Sequence, residues 1–294
     1  MANLKEISRK IKSVKNTQKT TKAMKLVSSA KLRRTEQLSK RARSYAQKIN
    51  EVLSEIAIRV AKVQGNENIA RAFVPNDAPK TVDIVIVSAD KGLCGGFNMS
   101  TIKAVNNMIK EYKSKNVNVR LRIAGRKAID FYSFQGFELT DKVVGLSSAP
   151  DYDKASEFIS DAIKDFNNEV TDKVVLVYNG FVNMLTQERR IKELLPIGLD
   201  SLVATESESM LDIEPDDDTE VLNELTEKYL NFNMYYALID SLAAEHSARM
   251  QAMEAATSNA KSRVKSLTVE FNKARQAAIT TELIEIISGM EALK

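Results

Sequence analysis

Hydrophobic positions near the start of the chain recur at alternating steps of four and three: Ile7, Ile11 and Val14, with the polar Gln18 and Thr21 continuing the seam. Apolar spacing resumes at Leu38, Ala42, Tyr45, Ile49, Val52 and Ile56, followed by Val60 and Val63. The far end repeats the pattern with Val264, Leu267, Phe271, Ala274 and Ala278, then steps by one residue to Ile279, Leu283, Ile286, Met290 and Leu293. Heptad-like seams with a stutter are the pattern of helices wound around a partner. The middle has another period. Thr81–Ser88 is a β-branched run followed by the turn Asp90-Lys91-Gly92-Leu93-Cys94-Gly95-Gly96. A helix is predicted from about Ser100 to Lys115, a strand at Val117–Ala124 and a short helix from Arg126. A further helix over 153–170 and a buried strand at Lys173–Tyr178 complete the series. Strands alternating with helices predict a mostly parallel sheet with helical cover.

Every proline, and every glycine except Gly289, lies between Gly65 and Pro215. The two arms left uninterrupted are rich in good helix formers. At about 1.5 Å per residue, arms of roughly 64 and 73 residues could each extend to about 100 Å. Long helices depend on packing an apolar face, so the arms are expected to pair with each other, antiparallel, as a hairpin with the middle of the chain as its head. The Ala-rich run Ala248, Ala252, Ala255, Ala256 and Ala260 would allow close approach. The expected division is a first arm over 1–63, an α/β head over 64–215 and a second arm over 216–294. Residues 64–80 read as the linker into the head. The acidic run from Glu214 to Glu220 reads as the start of the last helix, where acids suit the positive end of the helix dipole.

Charge sharpens this picture. Residues 1–63 carry 17 Lys and Arg against 4 acids, whereas residues 200–227 carry 11 acids and no Lys or Arg. Such blocks mark partner surfaces or solvated helix faces. No run approaches the about 20 apolar residues of a membrane span, and the N-terminus lacks a secretory apolar core. The single cysteine, Cys94, cannot form an internal disulfide, which fits a reducing compartment. With one histidine and one cysteine, a multi-ligand zinc site is not expected.

Candidate chemistry is sparse. The turn Gly92–Gly96 could present backbone amides to a phosphate. It lacks the Gly-Lys-Ser/Thr ending of a phosphate loop and the GxGxxG spacing of a dinucleotide fold. A nucleophilic Cys94 would need a base, and the only histidine, His246, is remote in sequence. Glu282 and Glu285 share a helix face beside an apolar seam, which favours solvation or partner contact over acid–base work. Met24, Met250, Met253 and Met290 read as seam filler on surfaces that tolerate changing contacts.

Larger stretches carry a resemblance. Ile7–Met24 is similar to the N-terminal helix of the gamma subunits of F-type ATP synthases, and Asp90–Asn98 resembles that family's central turn. Glu245–Met253 and Ala256–Ala260 look like its C-terminal helix, and Arg275–Gly289 resembles its closing signature. The matches occur in order and span nearly the whole chain. One departure is Gly289-Met290 where the signature usually continues Gly-Ala, which adds bulk at the tip. The cysteine-pair insertion of chloroplast members has no counterpart here.

The resemblance implies a fold of α/β class plus a long antiparallel coiled coil, its terminal helices paired as a shaft and its centre Rossmann-like. It implies a non-catalytic central rotor stalk, with the catalytic sites on the beta subunits. One copy per complex would couple ion-driven rotation of the membrane c-ring to ATP synthesis or hydrolysis. Implied partners are the alpha and beta hexamer, the epsilon subunit and the c-ring, with the membrane reached only through partners. The implied location is the cytoplasmic face of a bacterial membrane. No cofactor, metal or nucleic acid is implied. Implied hexamer contacts are Lys22, Met24, Lys25, Lys31, Arg249, Arg275, Gln276, Thr280 and Glu282. Implied c-ring contacts are Glu206, Glu208, Glu214 and Asp216. Polar seam positions such as Gln18 and Thr21 are expected to limit adhesion to the surrounding sleeve. Two other readings stay open. One is a basic coiled coil that binds nucleic acid, against which stands the lack of aromatics before Tyr45. The other is a nucleotide-binding α/β domain on a stalk.

Overall fold

The structure, a computed structural model, describes residues 4–64, 71–197 and 218–291. Both arms are single helices, α1 Leu4–Gln64 and α5 Asp218–Glu291. Between them lie β1 Thr81–Val87, α2 Phe97–Ser114, β2 Asn118–Ala124, α3 Arg126–Phe134, β3 Leu139–Val143, α4 Tyr152–Asn167, β4 Lys173–Phe181 and β5 Gln187–Leu195. No described helix is long and apolar enough to cross a membrane. The chain divides into two compact units, Met1–Ser29 with Arg249–Lys294, and Ala30–Ala248.

The second unit is built on a five-stranded sheet of order β3-β2-β1-β4-β5. The first four strands run parallel and β5 is antiparallel to β4. The mostly parallel sheet expected from the alternation of elements is therefore present. Central strands covered on both faces read as continuous apolar runs, as in β1. Its Val82, Ile84 and Ile86 pack with Ile102, Val105 and Ile109 of α2 and with Ile129 and Tyr132 of α3. Val85 and Val87 belong to the opposite core, with Phe158, Ile159 and Phe166 of α4, Leu53 and Ile56 of α1, and Leu230 and Met234 of α5. Asp83 interrupts the run and is fully buried. Its carboxylate takes a hydrogen bond from Arg122 Nε at 2.7 Å and lies 3.3 Å from Arg120 Nε. Both arginines also reach Asp165 of α4. A charge buried this deeply persists only when paired, so this cluster ties β1, β2 and α4 together.

Sequence periodicity passes over β3 and β5. Both are edge strands whose residues alternate in exposure, and β5 reads Gln-Glu-Arg-Arg-Ile-Lys-Glu-Leu-Leu. Charged side chains on an edge strand block pairing with a second sheet and also erase the apolar signal. Where β2 ends, Gly125 has φ of +117°, and a Cβ there would run into the Ser88 carbonyl. The Ser88 hydroxyl meanwhile donates to Gly125 O and accepts from Ala128 N, both at 3.1 Å. Gly125→Ala combines backbone strain with overpacking and is expected to cost about 2–5 kcal/mol. Urea denaturation followed by circular dichroism measures this, and a loss below about 1 kcal/mol would mean that the close approach is not a constraint.

Candidate functional site

In the first unit the two helices run antiparallel. Thr21 and Thr257 share a hydroxyl hydrogen bond of 2.7 Å, and Lys25 forms an ion pair with Glu254. Facing residues in these pairs have numbers that add to 278 and 279. On α1 the inward stripe is Ile7, Ile11, Val14, Gln18, Thr21 and Lys25; on α5 it is Met253, Thr257, Ala260, Val264, Leu267, Phe271 and Ala274. Thr21 is 9% exposed. The expectation that Thr21 limits adhesion to an outer sleeve is thus corrected: its hydroxyl faces the partner helix of its own chain. A hydroxyl pair satisfies both groups while contributing only about 1 kcal/mol net, so this stretch is held together without a deep apolar seam.

This register brings Leu4, where α1 begins, opposite the region of Ala274. Ala278 is still half-buried, but from Ile279 to Met290 every residue is exposed. Ile279, Leu283, Ile284, Ile286, Ile287 and Met290 are 49–67% exposed. The stepped seam Ile279, Leu283, Ile286, Met290 is therefore not covered by the first arm, because the described part of α1 ends before reaching it; Leu293 lies outside the described residues. A contiguous exposed apolar surface of this kind marks an interaction site.

Seven of the residues singled out from sequence fall into two patches of the first unit, Lys22, Met24 and Lys25 in one and Arg275, Gln276, Thr280 and Glu282 in the other. Lys22 is exposed, Met24 is half-buried, and the half-buried Lys25 pairs with Glu254. Arg275, Gln276, Thr280 and Glu282 are all exposed at the beginning of the uncovered end. Along α5, the distance from Glu254 to Gln276 is about 33 Å at the helical rise. The Thr280 hydroxyl donates to Gln276 O at 3.0 Å, leaving its methyl outward. Arg249 is only 8% exposed, so most of its side chain is enclosed within this chain. Lys31, in the second unit, is exposed. Glu206, Glu208, Glu214 and Asp216 lie outside the described residues.

In the second unit, sequence reading places Leu38 on the seam of α1, but it is 50% exposed, whereas Tyr45, also placed there, lies with its ring 4.4 Å from that of Phe232 of α5. The buried stripe runs through the expected Ala42, Ile49 and Ile56 together with Leu32, Thr35, Ser39 and Leu53. Its polar members turn toward specific partners. Ser39 Oγ donates to Asp240 Oδ1 at 3.1 Å, and Arg190 Nη1 of β5 donates to Asp240 Oδ2 at 2.7 Å. Asp240 is fully buried. Burial raises its pKa above the usual carboxylate range, against the pull of Arg190, Ser39 and the Phe181 backbone amide. Burial opposes the Arg190 charge too, but Asp240 and Tyr178 outweigh it and raise that pKa. A Cβ on Gly180 would lie 2.6 Å from Asp240 Oδ2, so glycine is required for this clamp. Joining α1, β4, β5 and α5, the clamp was invisible to periodicity; its only signal is a pair of charges within otherwise apolar surroundings.

The glycine turn carries a carboxylate that serves a neighbouring turn. In a βα turn the helix N-terminus is the phosphate position. In the β2–α3 turn, Arg126 N, at the start of α3, donates to Asp90 Oδ1 at 3.0 Å. Asp90 Oδ2 accepts from Gly145 N, Ser147 Oγ and Ser148 Oγ at 2.6–3.1 Å. Burial opposes the carboxylate charge, yet these donors outweigh it and hold its pKa below the usual value. The chain's own carboxylate thus takes the anion position of α3, whereas the glycine turn itself leads into α2 at Phe97. Cys94 is buried, with Asn98 Nδ2 donating to its sulfur at 3.3 Å.

Comparison with known proteins places this geometry. A family model described as ATP synthase matches residues 3–293. The chain is 72% identical over 295 residues to the ATP synthase gamma chain of Aliarcobacter butzleri and 60% identical over 297 residues to that of a Sulfurovum species, each spanning all of both chains. Among solved structures, a chain of the Tetrahymena thermophila mitochondrial ATP synthase central stalk and c-ring is 27% identical, with a TM-score of 0.59, over 81% of this chain and 99% of that one. A chain of the Euglena gracilis mitochondrial ATP synthase shares the fold, with 18% identity and a TM-score of 0.66 over 99% of this chain and 94% of that one.

Proposed function

The chain belongs to the ATP synthase gamma-chain family and is a central-stalk subunit, and on that premise we propose that it turns as the rotor between a ring of alpha and beta subunits and a membrane c-ring. The carrying observation is the apolar end of α5 extending past its antiparallel partner. An exposed helical end of about 25 Å suits insertion into an enclosing collar. In this reading Arg275, Gln276, Thr280 and Glu282 meet the hexamer at the tip. Lys22, Met24, Lys25, Lys31 and Arg249 meet it lower down, where the basic first arm faces an acidic loop of a beta subunit. Glu206, Glu208, Glu214 and Asp216 form the acidic surface toward basic c-ring loops. Catalysis belongs to the beta subunits, on the cytoplasmic face of a bacterial membrane, with the epsilon subunit as a further partner.

A stalk can drive such sites only through differential affinity for their conformations. As it turns, each beta site meets a different face of an asymmetric helix pair, and its equilibrium shifts accordingly. Run in reverse, hydrolysis biases which face is favoured and so turns the stalk. The test is co-purification with alpha and beta subunits of one organism, followed by single-molecule rotation of a bead attached to the head. The expected result is one stalk per three beta subunits and stepwise one-way rotation with ATP. Arg249→Ala, Gln276→Ala and Thr280→Val are each expected to retain assembly and lose torque. Full torque in all three would remove those residues from the contact set while leaving the family intact.

A further inference from the structure

A cavity in the second unit has a volume of about 840 Å³ and opens between α1, β5 and α5. Pockets for small organic ligands span about 300–1,000 Å³. Nothing in the stalk mechanism uses this one. Lys192 lines it, its ammonium donating to Asn233 Oδ1 at 2.6 Å and lying 5.1 Å from the centre of the Tyr229 ring. Among the described residues no carboxylate pairs with Lys192. The neighbouring Glu193 is instead engaged by Lys173 at 2.6 Å. Arg43 lies on the same wall. Its Nε donates to the Tyr236 hydroxyl at 3.2 Å, and no other hydrogen bond within the described chain uses its guanidinium.

A half-buried charged lysine without a counter-ion carries a desolvation cost, and an incoming anion lowers it. The second cation and the amide groups of Asn50 and Asn76 add donors at the same wall. Several convergent donors around two cations match the three acceptor oxygens of a phosphate group better than a single carboxylate. We propose that this cavity binds a small phosphate-bearing molecule, with Lys192 as its anchor and Arg43 as the second cation.

The titration of Lys192 gives the proposal a signature. Burial pushes the free lysine down to about 8. The other charged or titratable groups facing the cavity are Arg43 of α1, Asp77 of the segment before β1, Lys173 of β4, Glu193 of β5, and Tyr229 and Tyr236 of α5. Of these, burial pushes Tyr229 up to about 12, above the range tested. A bound phosphate favours the charged lysine, so binding takes up a proton near pH 8 and weakens as pH rises, by up to tenfold per unit above the free pKa.

The full-length chain is titrated calorimetrically with inorganic pyrophosphate between pH 7 and 9.5, in buffers of different ionisation heat. Short-chain phosphatidic acid below its micellar concentration, in a second arm, distinguishes a lipid headgroup from a soluble phosphate. The expected result is saturable binding of one or both probes with proton uptake near pH 8. Lys192→Met is expected to weaken binding at least tenfold. Lys192→Arg is expected to keep the affinity and lose the pH dependence, which also shows that the wall folds without lysine. Non-saturating heats with both probes, or equal binding by wild type and Lys192→Met, would overturn the proposal.

Discussion

Replacing Arg190 with methionine is expected to destabilise the second unit by about 3–5 kcal/mol near pH 8, the cost of leaving a buried charge unpaired. Asp240 is fully buried and receives its strongest partner from Arg190 at 2.7 Å. Methionine fills much of the same volume but supplies no charge. Ser39 and the Phe181 amide remain, and neither compensates a full negative charge. The effect has a defined pH dependence. Without Arg190, the folded-state pKa of Asp240 rises further above its unfolded value, so the penalty grows as pH rises through the folded pKa and disappears below the unfolded one. Chemical denaturation at pH 8 and pH 5 therefore gives a larger loss at pH 8. Adding Asp240→Leu to Arg190→Met should recover most of the loss, because two apolar partners remove the unpaired charge. A single variant within 0.5 kcal/mol of wild type (roughly the scatter for neutral surface changes) would mean that Asp240 is not held as a charge.

Converting Ile279, Leu283 and Ile286 together to glutamine is expected to leave the melting of the isolated chain nearly unchanged and to weaken assembly with the alpha and beta subunits about 100-fold. All three are about half exposed, so the chain's own packing does not depend on them. Glutamine is a good helix former, so α5 should persist. Full burial of one such side chain is worth about 1.5–3 kcal/mol. Losing about 1 kcal/mol of newly buried surface at each of three sites gives roughly 3 kcal/mol, or two orders of magnitude in affinity. Reconstitution at graded stalk concentrations measures this, with ATP-driven rotation as the second readout. Assembly and torque indistinguishable from wild type would show that the apolar end makes no functional contact.

Sequence and structure agree where chemistry is local. Confinement of glycine and proline to the middle of the chain announces two long helices, and β-branched runs announce β1 and β4. Agreement fails where the signal depends on a partner. Thr35 and Ser39 occupy the seam of α1 as hydroxyls, so an apolar count selects Leu38, which faces solvent. Edge strands β3 and β5 carry the charges that protect them, and lose their apolar rhythm by doing so. Ile279, Leu283 and Ile286 were legible as a seam, but whether the cover comes from the same chain depends on where two helices end. The Arg190–Asp240 clamp and the wall around Lys192 join residues distant in sequence, and no spacing rule connects them.

The constant register of the helix pair limits how this protein can vary in length. Thr21 with Thr257 and Lys25 with Glu254 in one unit, and Ser39 with Asp240 and Arg43 with Tyr236 in the other, all have residue numbers adding to 278 or 279. One residue inserted into α1 would turn everything beyond it by about 100° and move it about 1.5 Å along the axis. Hydroxyl would then face methyl, and Lys25 would lose the Glu254 carboxylate. Insertions and deletions can therefore survive between the arms, or in an arm only when matched by a complementary change in the other. Tolerated length changes should lie in the loops joining the sheet elements, while both helices keep their residue count in step.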